Sequence, residues 1–340
     1  MLEMERTMNE KIISLKNVGK SFFVRTNIFG GKRELKILEG VNLDVEKGEV
    51  LALVGESGCG KTTTAKIIAG ILKVNEGEVL FKGKNIWKMG KDEFERYRMA
   101  VQMIHQDPYA SLNPTRNIIS TLSAPLLKHK IVPRTEVKDK VAELLRMVDL
   151  TPIEEYMFKY PHQLSGGERQ RVTIARSLTT NPEFLVADEP VSMLDVSIRL
   201  GVIELLKDLK KKMNVSFLFV THDLAMAKYF ALDGKIAVMY LGKIVEYGGT
   251  KDTIDKPLHP YTRALLLAIP EADPEITRRK RMPPLRSPDV PGFSSLPSGC
   301  RFHTRCPEFM EGKCDVEEPP LFDVGGRKVA CWLYENSGDV

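Results

Sequence analysis

Apolar and polar positions repeat with two different periods along this chain, and the switches between them mark its parts. Residues 12–54 read as short β pieces at 13–18, 22–24 and 37–38. Val41, Leu43 and Val45 follow at period two, ahead of a turn at Glu46, Lys47 and Gly48. These pieces predict an antiparallel layer beside a main sheet. The run 49–54 is short, apolar and β-prone, whereas 63–72 has helical spacing with Ala65, Ile68, Ala69 and Leu72 along one side. A strand at 79–81 gives way to helical patterns at 92–100 and 135–150, the second carrying Val137, Val141, Leu144, Leu145 and Val148 on one face. These helices are expected to form an insert ahead of the next core strand. Residues 184–187 are an unbroken apolar run, as a strand buried on both faces of a parallel sheet requires, and 215–220 reads as another buried strand. Residues 235–247 alternate again around a turn at Leu241, Gly242 and Lys243, so the core should close near Gly249.

Composition narrows the class without choosing a function. A chain of 340 residues can bury a good core and two or three subdomains, and 43% hydrophobic with 28% charged residues is ordinary for a soluble protein. The longest apolar runs, such as 217–220 and 264–269, fall far short of the roughly 18 residues of a membrane span. The charged start predicts no secretory signal and a cytosolic chain. A net charge of +5 tolerates an anionic surface or a nucleotide, but it does not argue for nucleic acid.

Candidate chemistry begins with Gly55, Glu56, Ser57, Gly58, Cys59, Gly60, Lys61 and Thr62, which fit G-x-x-x-x-G-K-[ST] at every fixed position. The context is strand, loop, helix, as the motif needs. Its glycines let successive N–H groups turn toward an anion at the positive end of a helix. Lys61 would then reach the β and γ phosphates and the Thr62 hydroxyl would hold Mg²⁺. A second candidate cradle is Ser165, Gly166, Gly167 and Glu168. As a capping box, S-x-x-E, these residues would simply start a helix over 168–178. The two glycines weaken a first turn and leave bare N–H groups, which an anion could use. Asp188 and Glu189 end an apolar strand where ligands of such sheets bind, so they can anchor a metal and serve as a base rather than sit as acidic turn residues. His222 and Asp223 end another strand at the same edge; the plain alternative is a structural histidine and a helix cap. Gln106 lies in an exposed loop, 106–114, and Phe22 reads equally as a packed strand residue and as a ring for an adenine.

Taken together, residues 11–250 resemble the ABC ATPase family. Phe22 matches the adenine-stacking A-loop position, Gly55 to Thr62 the Walker A motif with Thr63 behind it, and Gln106 the Q-loop glutamine. Residues 164–170 match the LSGGQ-type signature, with Glu168 in place of the commoner Gln. Residues 184–189 match the Walker B motif with its catalytic Glu, 192–195 the D-loop ending in Asp195, and His222 the switch histidine. The resemblance implies an α/β fold, with a P-loop RecA-like core, an antiparallel β subdomain and a helical insert over about 90–182. It implies ATP and Mg²⁺ as cofactors, the metal held by Thr62, Gln106 and Asp188. Catalysis would fall to Glu189, His222 and Lys61, in a head-to-tail dimer that clamps ATP between one Walker A and the partner's signature.

Beyond a tail at 1–10 and the ATPase domain at 11–250, an extension at 251–340 narrows the resemblance. His259 to Pro270 and Ser298 to Pro307 look like the C-terminal extension of ATPases in the oligopeptide/dipeptide importer family, as does the loop 106–114. An insertion at 25–33 is similar to the F-type member of its ATPase pairs. The implied partners are a second, D-type ATPase subunit or another copy, two transmembrane permease subunits and, indirectly, an extracellular solute-binding protein, with no nucleic acid. The implied place is the cytoplasmic face of the cell membrane. Cys300, Cys306, Cys314 and Cys331 lack the tight pairs of most zinc sites. Relatives that carry a four-iron, four-sulfur cluster at such cysteines make a [4Fe-4S] cluster the first expectation, with Zn²⁺ and His303 as the alternative. The basic run at 278–281 reads as solvated linker. Rival readings are a soluble ABC protein of DNA repair or translation, and a redox sensor whose ATPase answers to the cluster.

Overall fold

The computed structural model describes residues 10–25, 31–269 and 285–336, so part of the 25–33 insertion and the basic run at 278–281 lie outside the described residues. Two long strands, β1 (Lys11–Arg25) and β2 (Lys32–Glu46), pair antiparallel from Lys11 against Glu46 to Arg25 against Lys32. The sequence breaks at 19–21 and 39–40 that separated predicted pieces are irregularities within this one ladder. After β3 (Val50–Val54) and α1 (Lys61–Ile68), β4 (Glu76–Phe81) and β5 (Lys84–Asn85) complete a four-stranded sheet in the order β2-β1-β4-β5. The predicted antiparallel layer is therefore present.

The chain continues through α2 (Lys91–Ala100), β6 (Val101–Ile104), α3 (Pro108–Ser111), α4 (Ile118–Lys128), α5 (Val137–Met147), α6 (Ile153–Met157) and α7 (Gly166–Leu178). It then alternates β7 (Phe184–Asp188), α8 (Val196–Met213), β8 (Ser216–Thr221), α9 (Leu224–Ala231), β9 (Lys235–Tyr240) and β10 (Lys243–Gly249). β3, β6, β7, β8 and β9 run parallel, and every side chain of β3, β7 and β8 is buried. This is why those segments read as continuous apolar runs. Their carboxyl ends, at Val54, Ile104, Asp188, Thr221 and Tyr240, share one edge of the sheet, and the motifs begin there.

Past α10 (Thr250–Asp255) and α11 (Pro260–Leu267), β11 (Phe322–Val324) and β12 (Arg327–Val329) extend the main sheet to the order β11-β12-β10-β9-β3-β8-β7-β6. The C-terminal segment is thus built onto the core. Glu246 of β10 is fully buried and accepts N–H bonds from Leu258 and His259, both at 2.9 Å. The Phe302 ring packs against Tyr240 and Tyr261 with centroids 5.3 Å away in each case. Truncating such a buried ring typically costs about 3–5 kcal/mol.

Candidate active site

The loop after β3 is shaped by contacts that exclude side chains. A Cβ on Gly55 would stand 2.2 Å from the Met239 carbonyl oxygen, so only glycine lets the chain cross β9 there. No side chain caps α1, whose N-cap is Gly60, and its first-turn N–H groups remain for an anion. Lys61, only 4% exposed, donates from Nζ to the carbonyls of Gly55 at 2.8 Å and Glu56 at 2.9 Å. Among the described residues it has no ion pair. A buried ammonium with only two carbonyls and the Cys59 sulfur as partners is costly until an anion arrives, so the cradle fits a polyphosphate. Burial pushes the Cys59 thiol upward, which keeps it protonated beside Lys61.

Acidic groups face this cradle from β7. The Thr62 hydroxyl donates to Asp188 Oδ1 at 3.1 Å, and burial, aided by the Glu189 charge, raises the Asp188 carboxyl above its ordinary value while the Thr62 bond opposes the rise. This all-oxygen pair, with Gln106 lining the same hollow, suits Mg²⁺, whose arrival would favour the ionised carboxylate. Glu189 has φ 46°, in the left-handed region, and its N–H donates to the Val220 carbonyl at 2.9 Å. That conformation turns its carboxylate into the cleft. Oε2 then accepts from Gln106 Nε2 at 3.2 Å and stands 3.2 Å from His222 Nδ1. Three strand ends thus converge on one carboxylate oxygen, where a water could be oriented and polarised. Asp223 has the plainer role, since its carboxylate caps α9 through Ala225 and Met226.

The cleft has a volume of about 910 Å³, and Ser57, Gly58, Thr63, Gln106, Glu189 and His222 are among its walls. Phe22 closes one end beside Leu35 and Ile37; its ring is 39% exposed, with Lys20 Nζ 5.2 Å from the centroid. An exposed ring at the mouth of a nucleotide-sized cleft favours base stacking over strand packing.

Ser165, Gly166, Gly167 and Asp195 are not among the residues lining this cleft. The capping box is real: Ser165 Oγ accepts from Glu168 N at 3.3 Å and Glu168 Oε2 accepts from Ser165 N at 2.7 Å. Glu168 also accepts from the Tyr156 hydroxyl at 2.6 Å, and this bond chiefly holds its carboxyl below the ordinary range. The glycines differ in their reasons. A Cβ on Gly167 would stand 2.7 Å from Ile198 Cγ2 of α8, whereas Gly166 would meet Leu194 only at 3.5 Å. Asp195 is exposed, and Met193, Val196 and Leu200 around it present an apolar patch, with Val196 79% exposed.

The four late cysteines leave the expected metal centre without support in the structure. They share a neighbourhood: burial, followed by the nearby thiols, pushes Cys300 and Cys306 up to about 12 and Cys331 to about 11. Among the described residues, however, no group of three or more His, Cys, Asp or Glu side chains is arranged to hold a metal ion. The His303 Nδ1 lies 2.9 Å from the Cys300 carbonyl instead. These are clustered free thiols on irregular backbone, not a formed metal centre.

Tyr261, Leu265, Phe293 and Arg305, all from the C-terminal segment, also reach the site, and no local pattern had marked them. The Tyr261 hydroxyl accepts from Glu56 N at 2.8 Å, Arg305 pairs with the Glu56 carboxylate, and Leu265 and Phe293 line the cleft. Tyr261, Leu265 and Arg305 lie in the segments 259–270 and 298–307 that resemble the C-terminal extension, but nothing local named their partners at the P-loop.

Residues 38–192 match the ABC transporter family, and 245–314 match the oligopeptide/dipeptide transporter, C-terminal region. The oligopeptide transport ATP-binding protein AppF of Bacillus subtilis is 40% identical over 332 residues, covering 96% of this chain and 98% of that protein. The dipeptide transport ATP-binding protein DppF of Escherichia coli is 38% identical, covering 98% of each. Among solved structures, the dimeric bacterial ABC transporter cassette MJ0796 is similar with a TM-score of 0.61 and 30% identity, over 70% of this chain and 99% of that one. The chain belongs to the ABC transporter family, in the branch of the oligopeptide and dipeptide ATP-binding proteins. It is an ATPase, binding ATP and hydrolysing it to drive transport. The repair, translation and redox-sensor alternatives find no support in these relatives.

Proposed function

We propose that this chain is the ATP-hydrolysing subunit of an importer for oligopeptides or dipeptides, or for related solutes such as oligosaccharides, working at the cytoplasmic face of the membrane. Two permease subunits would receive its motion through the Gln106 loop, and a solute-binding protein would deliver the cargo to them. Lys61 and the P-loop N–H groups hold the triphosphate, and Phe22 stacks on the base. Thr62, Asp188 and Gln106 would hold Mg²⁺, which spreads charge on the transferring phosphoryl group. Glu189 polarises the attacking water and His222 holds it toward the γ-phosphate. The observation that carries this reading is the meeting of Gln106 and His222 on one Glu189 oxygen beside a buried Lys61.

The second cradle is assigned to the nucleotide of a partner ATPase. Its place outside this chain's own cleft and the bare apolar patch around Asp195 both support a second subunit there. The pairing is with a D-type subunit, on the resemblance of this chain to F-type proteins; a D-type relative, AppD of Bacillus subtilis, is as similar at 40%, so a second copy is the outcome to test against. The clustered thiols are assigned to a [4Fe-4S] cluster, or to Zn²⁺, closing on the metal as it binds; the support is the resemblance and their shared neighbourhood. Iron, sulfide and zinc analysis of anaerobically purified protein decides this, and metal-free protein would remove it. For the function, the test is peptide uptake and ATP turnover by the importer reconstituted in vesicles. Both should vanish with Lys61→Ala, and uptake that persists would overturn the proposal.

A further inference from the structure

The contact between the P-loop and the far end of the chain has the geometry of a clamp. Arg305 and Glu56 are 249 positions apart, yet Arg305 Nη1 and Nη2 donate to Glu56 Oε2 and Oε1 at 2.8 and 2.9 Å. Two parallel charge-assisted bonds fix orientation as well as distance. Arg305 is 6% exposed, and its guanidinium lies near the rings of Tyr240 and Phe302, 5.8 and 5.7 Å from their centroids. On Glu56, the backbone N–H donates to the Tyr261 hydroxyl and the carbonyl accepts from Lys61 Nζ. Arg305 itself directly precedes Cys306, and its own carbonyl accepts from Arg286 N at 3.1 Å.

We propose that Arg305, with Tyr261, is a positioning residue for the P-loop, through which the four-cysteine segment sets the affinity for the nucleotide triphosphate. This rests on the reading of 55–62 as the nucleotide site. Arg305 holds Glu56, and Glu56 holds the carbonyl against which Lys61 rests. Without the guanidinium, a free carboxylate would also stand beside the incoming polyphosphate and repel it.

The test titrates the full-length chain with a non-hydrolysable ATP analogue and Mg²⁺, with thermal melting of every variant in parallel. Arg305→Gln should weaken binding about tenfold, and Glu56→Gln combined with it should lose less than the two single changes summed, because the unpaired charge is gone. Arg305→Lys should fall between wild type and Gln, since a point charge keeps one of the two bonds. In the assembled importer the KM for ATP should rise in the same order, with kcat at saturating ATP within about twofold of wild type. Tyr261→Phe, which keeps the ring in place, should weaken binding about threefold with unchanged melting, and it remains informative if Arg305→Gln folds poorly. Wild-type affinity in both Arg305→Gln and Tyr261→Phe, while Lys61→Ala fails to bind, would overturn the proposal alone. Normal binding by Lys61→Ala would instead overturn the nucleotide-site reading beneath it.

Discussion

Glu189→Gln removes one charge from the cleft and almost no volume. The carboxylate oxygen that meets Gln106 and His222, each at 3.2 Å, becomes part of an amide, so the water loses its proton acceptor while the strand ends keep their places. A positioned general base contributes about 10²–10⁴-fold, so turnover should fall by that factor, or roughly 3–5 kcal/mol of barrier. Binding should not fall with it. The Glu189 charge is one of the influences that raise the Asp188 carboxyl, so its removal favours the ionised form of Asp188 that would hold Mg²⁺. Phosphate release by the assembled importer should therefore collapse while the ATP analogue binds at least as tightly as to wild type. Turnover within tenfold of wild type, or a loss matched by an equal loss of affinity, would refute the general-base role.

Two further outcomes follow from packing and titration. Gly167→Ala should cost about 1–3 kcal/mol of stability by pressing its methyl on Ile198 Cγ2, and Ile198→Ala should restore part of it in the double variant; urea unfolding of the four proteins checks this. His259 is fully buried, its Nδ1 accepts from Tyr261 N at 3.0 Å, and burial pushes its pKa down to about 3. The unfolded chain takes up this proton first, so below about pH 6.5 stability should fall by up to roughly 1.4 kcal/mol per pH unit until the folded pKa is reached. His259→Asn, which keeps the helix cap, should flatten that slope in denaturation curves collected from pH 7.5 to 5.

Much of the site was legible because its chemistry is local. The loop 55–62 follows an apolar strand, the capping box spans four residues, and Asp188 ends an unbroken apolar run; each can be read within ten positions. What escaped depends on partners far away in the chain. α4 carries Pro125 and several hydroxyl residues, and β6 has four residues, so neither shows a clean period. β11 and β12, three residues each, become strands only because β10 offers an edge. Gly167 was read as an open anion site, yet its nearest constraint is Ile198, 31 positions on. The clamp of Arg305 on Glu56 spans most of the chain, beyond the reach of any periodicity.

The claim on which the account turns is that one triphosphate is shared by two polypeptides. It is met most directly by cryo-electron microscopy of the assembled importer with ATP trapped by Glu189→Gln. The triphosphate should lie on Gly55 to Thr62 of this chain with a neighbouring subunit's signature turn against its γ-phosphate, and Ser165 to Gly167 should face the nucleotide of that neighbour. A triphosphate touched by this polypeptide alone, with Ser165 turned to solvent, would contradict the account.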